Sequence, residues 1–318
     1  RRSEPDPFFC FVPFNGPYGH WPAIRGESQT RFDEIYRDLP LHSIPREGLN
    51  RRVIERYTQR VVEAGGTPHE RFAGPLLLPN ETTSLRNYFA QTSLIDDAVG
   101  RIMTALDENG LAEDTIVIYT ADHGFSLGHH GIWGHGLAAW PSSMLRPSYH
   151  VPLVMAGPGI ATADHDGLVS QIDIPNTLLH AAGAALIETD RHDSRVIALD
   201  DPGRLVRDAL CIEQEESRAI RTAGHLYVER FNRAGGTPLP SELYELDSDP
   251  GERHDLAAGG DGAAVASELS AQLKAYFDRH AAPGFDLWSG GRAKSNITNP
   301  AFWQNAWGPE WGCTTLRS

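Results

Sequence analysis

Thr115-Ile-Val-Ile-Tyr-Thr-Ala-Asp122-His123-Gly124, continued by Phe-Ser-Leu-Gly128-His129-His130-Gly131-Ile-Trp133-Gly134-His135-Gly136, sets the class of fold this chain can adopt. Residues 115 to 120 are apolar and β-branched, the pattern of a strand buried on both faces of a sheet. The run stops at Asp-His-Gly, which puts a carboxylate and an imidazole at the C-terminal end of a strand. Ligands of open α/β sheets bind at that edge, and Gly124 permits a sharp turn there. The pair reads as a metal or oxyanion site. The competing reading is an Asp122 that only caps the next turn by accepting backbone N–H bonds. Gly128, Gly131, Gly134 and Gly136 argue against a regular helix, so His129, His130 and His135 belong on an irregular loop above the strand end.

Outward from this stretch the chain alternates strand and helix, as a parallel sheet requires. Residues 7 to 14 read as a buried strand and 50 to 64 as a helix. From 83 to 109, Leu85, Phe89, Thr92, Ile95, Val99, Ile102, Met103 and Leu106 recur at helical spacing, and Gly110 ends the run. Asp96 and Asp97 lie inside that helix about 100° apart, so they are assigned to solvent or salt bridges rather than to a shared metal. A strand at 151 to 156 follows. Asp173, with Pro175, marks the N-cap of a helix that ends at Gly183, and 186 to 207 reads as a linker. Four short strands at 209–214, 218–222, 226–231 and 242–246, then a helix at 263–280, form an α+β unit. The division expected is a core over 1–190, a small subdomain over 205–282 and a tail over 283–318.

Composition narrows the functions open to such a chain. Its 318 residues carry 28 Lys and Arg against 42 Asp and Glu, a net charge of −14. Nucleic acid is excluded as a partner, because phosphate binding needs clustered positive charge. An anionic ester must instead be held by local charge, from a divalent metal or histidines. Three widely spaced cysteines make neither a disulfide framework nor a zinc motif. No apolar run reaches the ~18 residues of a membrane span.

Asp-His-Gly followed by Leu-Gly-x-His-Gly-x-Trp-Gly-x-Gly resembles the second metal-ligand motif of the sulfatases, within the alkaline phosphatase superfamily. Three further stretches resemble the family in the same order. They are Pro7 to Trp21, which contains Asn15-Gly-Pro17-Tyr18-Gly-His20, then Val151 to Ile160 with Ser170 to Pro175, and Glu242-Leu-Tyr-Glu-Leu-Asp-Ser-Asp249-Pro250-Gly-Glu252. The resemblance implies an alkaline-phosphatase-like α/β fold, a mostly parallel sheet flanked by helices, with a smaller C-terminal antiparallel sheet and helix. It implies that Asp122 and His123 are ligands of a divalent cation, most often calcium, that polarises the ester. His135 falls where the family has a lysine that holds sulfate oxygens, and a protonated imidazole there implies a more acidic optimum. Tyr18 stands where relatives have a catalytic histidine, His20 is the substitute two residues on, and His130 is a contact either behind the metal ligands or to the leaving group.

The family's Asp-Asp pair and its Cys/Ser-x-Pro-x-Arg motif, source of the formylglycine nucleophile, have no counterpart around Cys10, Cys211 or Cys313. The expectation is that they lie in an N-terminal segment or second chain outside this sequence. Three functions stay open: a hydrolase of small-molecule sulfate esters, a phosphodiesterase or phosphonate monoester hydrolase of the same superfamily, and a non-catalytic subunit. The resemblance alone favours a periplasmic or secreted protein. Four of seven tryptophans, Trp288, Trp303, Trp307 and Trp311, lie in the tail, where burial against the protein's own body is expected over a substrate lid. Asn80 and Asn296 begin glycosylation sequons.

Overall fold

The computed structural model describes residues 7–17, 30–45, 47, 50, 55, 82–136, 139, 141–214, 216–231 and 239–290. The helix expected at 50–64, apart from Asn50 and Glu55, and the tail tryptophans beyond Trp288 lie outside them, as do both sequon asparagines.

Helix α1 (Asp33–Tyr36) leans on the long helix α2 (Thr82–Glu108) through Tyr36, whose hydroxyl lies 2.6 Å from that of Ser93. The N-terminal half of α2 supplies the buried face, with Leu85 and Ala90 almost fully covered. Met103, farther along, is exposed. The helix stops as its glycine predicts: Gly110 takes φ 66°, its N–H reaches Asp107 O at 2.9 Å and Leu111 N–H reaches Leu106 O at 2.9 Å. These bonds satisfy carbonyls that the last turn leaves unpaired. Asp97 pairs with Arg31, and Asp96 is exposed.

Strand β1 (Val117–Thr120) follows. The stretch after it, expected to be irregular, folds into a tight hairpin of β2 (Ser126–Leu127) and β3 (Trp133–Gly134) around a 3-10 turn. Leu127 and Trp133 cover Leu85 of α2. The glycines serve this turn directly, since Gly128, Gly131 and Gly134 all have positive φ. A short helix α3 (Arg146–Tyr149) leads into β4 (Leu153–Ala156).

The pairing of β1 with β4 corrects the parallel expectation for these two strands. They run antiparallel, with Thr120 opposite Leu153 and Val117 opposite Ala156. They are also half-covered rather than buried on both faces, with Val154 59% exposed. The antiparallel sense brings the turn after β1 beside the segment that enters β4. A parallel pair would have set it beside the segment that leaves β4.

Residues 7–14, expected as a buried strand, form no strand and are open to solvent, with Phe9 and Phe11 81% and 78% exposed. A strand exists only as part of a hydrogen-bonded ladder, and among the described residues no strand pairs with this run. Helix α4 (Asp173–Ala181) begins where expected, but Asp173 is its first residue rather than its cap. Its fully buried carboxylate accepts from Ser170 N and Arg195 N, both at 2.8 Å, and pairs with the buried Arg207 guanidinium. The stretch expected as a linker is therefore fastened to α4.

The C-terminal unit is as expected. Strands β5 (Ala209–Gln214), β6 (Ser217–Thr222), β7 (His225–Arg230) and β8 (Glu242–Glu245) form an antiparallel meander in that order. Alternating side chains fill both faces. Ala219, Leu226, Val228 and Tyr244 pack on Met144, while Ile220, Tyr227 and Leu243 pack on Leu269, Leu273 and Phe277 of the last helix. A short helix α5 (Leu256–Gly259) precedes that helix, α6 (Ala263–His280). Arg218 lies between the Phe277 and Trp288 rings, 3.8 and 4.1 Å from their centroids, and pairs with Asp286 at 2.7 Å. Trp288 is thus anchored to the protein's own body.

Candidate functional site

Asp122 and His123 occupy the turn directly after β1. The Asp122 side chain is 88% exposed and that of His123 42%. Asp122 Oδ1 accepts the His123 N–H at 2.9 Å, so the turn-capping geometry is realised. The other oxygen, Oδ2, lies 3.8 Å from His123 Nε2. His123 Nδ1 lies 2.9 Å from the Gly124 carbonyl. A carbonyl only accepts, so this bond puts the ring proton on Nδ1 and makes Nε2 the lone-pair nitrogen. Histidines that ligate metals are oriented in this way.

Gly124 holds the turn by close approach rather than by unusual φ. A Cβ there would lie 2.2 Å from Pro147 O and 2.8 Å from Ser148 C, and the Gly124 N–H donates to Ser148 O at 3.0 Å. The 121–124 turn is therefore pressed against α3.

His135 joins the pair from the far end of the hairpin, its ring centroid 4.9 Å from that of His123. Burial, then the neighbouring His123, pushes its imidazole down to about 4. At neutral pH it is uncharged, so it meets an anion as a hydrogen-bonding group rather than as a cation. The expected electrostatic clamp would require protonation well below the ordinary histidine range.

His130 belongs elsewhere. Its backbone has φ 55°, its carbonyl accepts from Asn50 Nδ2 at 2.7 Å, and the charges acting on its ring come from Arg253, Glu47, His129 and Asp249. Burial depresses it first, and Arg253 next. Arg253 in turn pairs with Glu47 at 2.6 Å. Tyr18 and His20 lie outside the described residues. Asp122, His123 and His135 thus come together, while His130 sits in a separate polar cluster.

Among the described residues, no three His, Cys, Asp or Glu side chains converge as a complete metal cage. The donors present fit half of one: a solvent-facing carboxylate suits a hard divalent ion, and Nε2 of His123 adds a nitrogen. Calcium takes six to eight oxygen-rich ligands, so water, substrate or other residues must supply the rest.

Residues 1–184 match the family described as Sulfatase. The chain belongs to the sulfatase family. Among curated relatives, this sulfatase-family chain is 28% identical over 267 residues to the choline-sulfatase of Rhizobium meliloti (strain 1021), covering 83% of the chain and 49% of that protein. It is 32% identical over 185 residues to arylsulfatase K of Bos taurus, covering 54% of the chain and 33% of that protein. The chain thus spans about half the length, or less, of these relatives. The phosphonate monoester hydrolase of Agrobacterium radiobacter superposes with a TM-score of 0.52 at 27% identity, covering 63% of this chain and 42% of that one. A protein solved in complex with its substrate D-glucosamine-2-N,6-O-disulfate superposes at 0.56 with 20% identity, over 81% and 53% of the two chains. The architecture is the alkaline-phosphatase-like α/β fold, completed by the C-terminal four-stranded sheet.

Several residues that hold the site carry no recognisable sign in the sequence. Ser143, Arg146, Ser148 and Tyr149 are ordinary polar residues between a tryptophan-rich loop and a strand. Glu252 was visible only as one letter of the C-terminal family signature.

Proposed function

We propose that this sulfatase-family chain takes part in the hydrolysis of small-molecule sulfate esters, with Asp122 and His123 holding a divalent cation, calcium first. The nucleophile would be supplied by an N-terminal segment or a second chain beyond these 318 residues. The observation that carries this reading is the meeting of Asp122, His123 and His135 at the end of β1, with Nδ1 of His123 committed to the Gly124 carbonyl. A bound cation would supply polarisation of the ester oxygens. His123 would offer Nε2, Asp122 its carboxylate, and the uncharged His135 ring a hydrogen bond to an ester oxygen. His20 and Tyr18 remain proposed leaving-group residues, and His130, by its separate cluster, could act only from a distance.

Calorimetric titration with calcium chloride tests the metal assignment: wild type should bind, and Asp122→Asn should lose at least about tenfold in affinity. An aryl sulfate assay of the chain together with its upstream segment tests the reaction. Absence of calcium binding in wild type and of sulfate release would end the proposal. A second reading, hydrolysis of phosphonate monoesters or phosphodiesters, is favoured by the 27% identity to the Agrobacterium enzyme. An aryl phosphodiester assayed in parallel separates the two. Cleavage of neither ester, with metal binding retained, points to a non-catalytic subunit.

A further inference from the structure

Glu252 is buried, at 2% exposure, and carries φ 55°, a left-handed backbone that costs a non-glycine residue about 1 kcal/mol or more. Such strain persists only where the surroundings over-determine it. Asp249 does so: its carboxylate accepts the N–H groups of Arg253 and His254, both at 2.7 Å, while its carbonyl accepts that of Glu252 at 3.0 Å. The strained turn sets the Glu252 carboxylate between Arg221 of β6 and the start of α3.

There its two oxygens divide the work. Oε2 accepts the Arg146 N–H at 2.6 Å and Oε1 accepts Arg221 Nη1 at 3.0 Å. The same Nη1 donates to the Tyr149 hydroxyl at 3.0 Å. The first and last residues of α3 are therefore held by one carboxylate and its guanidinium partner. A four-residue helix has no stability of its own, so its position is set from outside, by these bonds at its two ends and by Met144 and Leu145 packed just before it.

What α3 imposes next is the site. Ser148 O accepts the Gly124 N–H at 3.0 Å, directly after His123. Ser148 Oγ lies 3.0 Å from Ser143 Oγ, and the Ser143 N–H donates to Gly136 O at 2.8 Å, directly after His135. The segment from 143 to 149 thus touches the chain one residue beyond each imidazole of the 4.9 Å pair.

We infer that Glu252, from the C-terminal subdomain, is a positioning residue that sets the separation of His123 and His135 through α3 and the Ser143–Ser148 contact. Its functional meaning rests on the proposal that these side chains serve a metal-dependent ester hydrolase; its geometry does not.

The test uses full-length chain with selectively labelled histidine, at fixed pH and with chelator present. Wild type should show a nuclear Overhauser cross-peak between the His123 and His135 ring protons. Glu252→Gln keeps the shape, removes the charge, and should lose that cross-peak while shifting both ring resonances. Leu273→Ala, on the opposite face of the C-terminal sheet, matches the loss of stability and should keep the cross-peak. In a second arm, calcium affinity should fall about tenfold or more in Glu252→Gln and stay unchanged in Leu273→Ala. If Glu252→Gln does not fold, Ser143→Ala reads the same cross-peak through the last link. An intact cross-peak in the folded variant, its loss in Leu273→Ala as well, or its absence in wild type overturns the inference. Loss confined to the brace variants with no calcium binding in wild type upholds the brace and ends the metal reading instead.

Discussion

Gly124→Ala offers a sharp test of how the site is held. The new Cβ would lie 2.2 Å from Pro147 O and 2.8 Å from Ser148 C, about 1 Å inside van der Waals contact with the oxygen. Both obstacles are backbone, so neither can rotate away. Overpacking of this kind costs about 1–3 kcal/mol, and separating the strands of chain also weakens the Gly124–Ser148 hydrogen bond, worth about 1 kcal/mol. The expected loss is about 2–4 kcal/mol. Gly100→Ala is its mirror: Gly100 is an exposed mid-helix residue in α2 with nothing within 4 Å of an added Cβ, so alanine should stabilise by about 0.5–1 kcal/mol. Urea unfolding followed by far-ultraviolet circular dichroism gives both values. A Gly124→Ala variant within about 0.5 kcal/mol of wild type would refute the close-approach account.

Asp173→Ala leaves the buried Arg207 guanidinium with Asp193 but without Asp173 and takes the acceptor from the Ser170 and Arg195 N–H groups, so it should cost about 2–4 kcal/mol in the same assay; a loss under about 1 kcal/mol would contradict the burial argument. Burial pushes the Cys211 thiol up to about 12, so at pH 8 it stays protonated and should resist iodoacetamide until denaturant opens the fold. Peptide mapping should find the exposed Cys10 alkylated before Cys211. Arg218→Met removes the cation between Phe277 and Trp288 and leaves Asp286 without that partner. Tryptophan emission should move to the red and proteolysis near residue 286 should quicken, and unchanged rates would count against Arg218 as the anchor.

Much of this was legible in the residues because local chemistry decided it. The end of α2 follows from Gly110, the C-terminal meander from short β-rich runs between turns, and the place of Asp122 and His123 from a strand end, while His135 stands out from His129 and His130 only by the family resemblance. What failed depended on neighbours. Apolar content at 7–14 and 117–120 announces strand propensity, but burial and pairing sense are decided by what lies alongside, which no single run encodes. How far the His135 imidazole is depressed is a neighbour effect of the same kind, since its depth and the second imidazole exist only in the folded chain. Glu252 escaped notice because its role arises from a distant segment that only the folded chain brings within reach.

The opposed directions of β1 and β4 have one more outcome. Thr120 and Leu153 face each other across the ladder, so the chain departs from the sheet and rejoins it at neighbouring doorways about 5 Å apart. The Asp122–His123 turn, the hairpin and the short helix all belong to one excursion between them. Such a detour can lengthen, shrink or be exchanged wholesale between related proteins while the ribbon beneath it keeps its register, which makes it a natural place for new substrate preferences to arise.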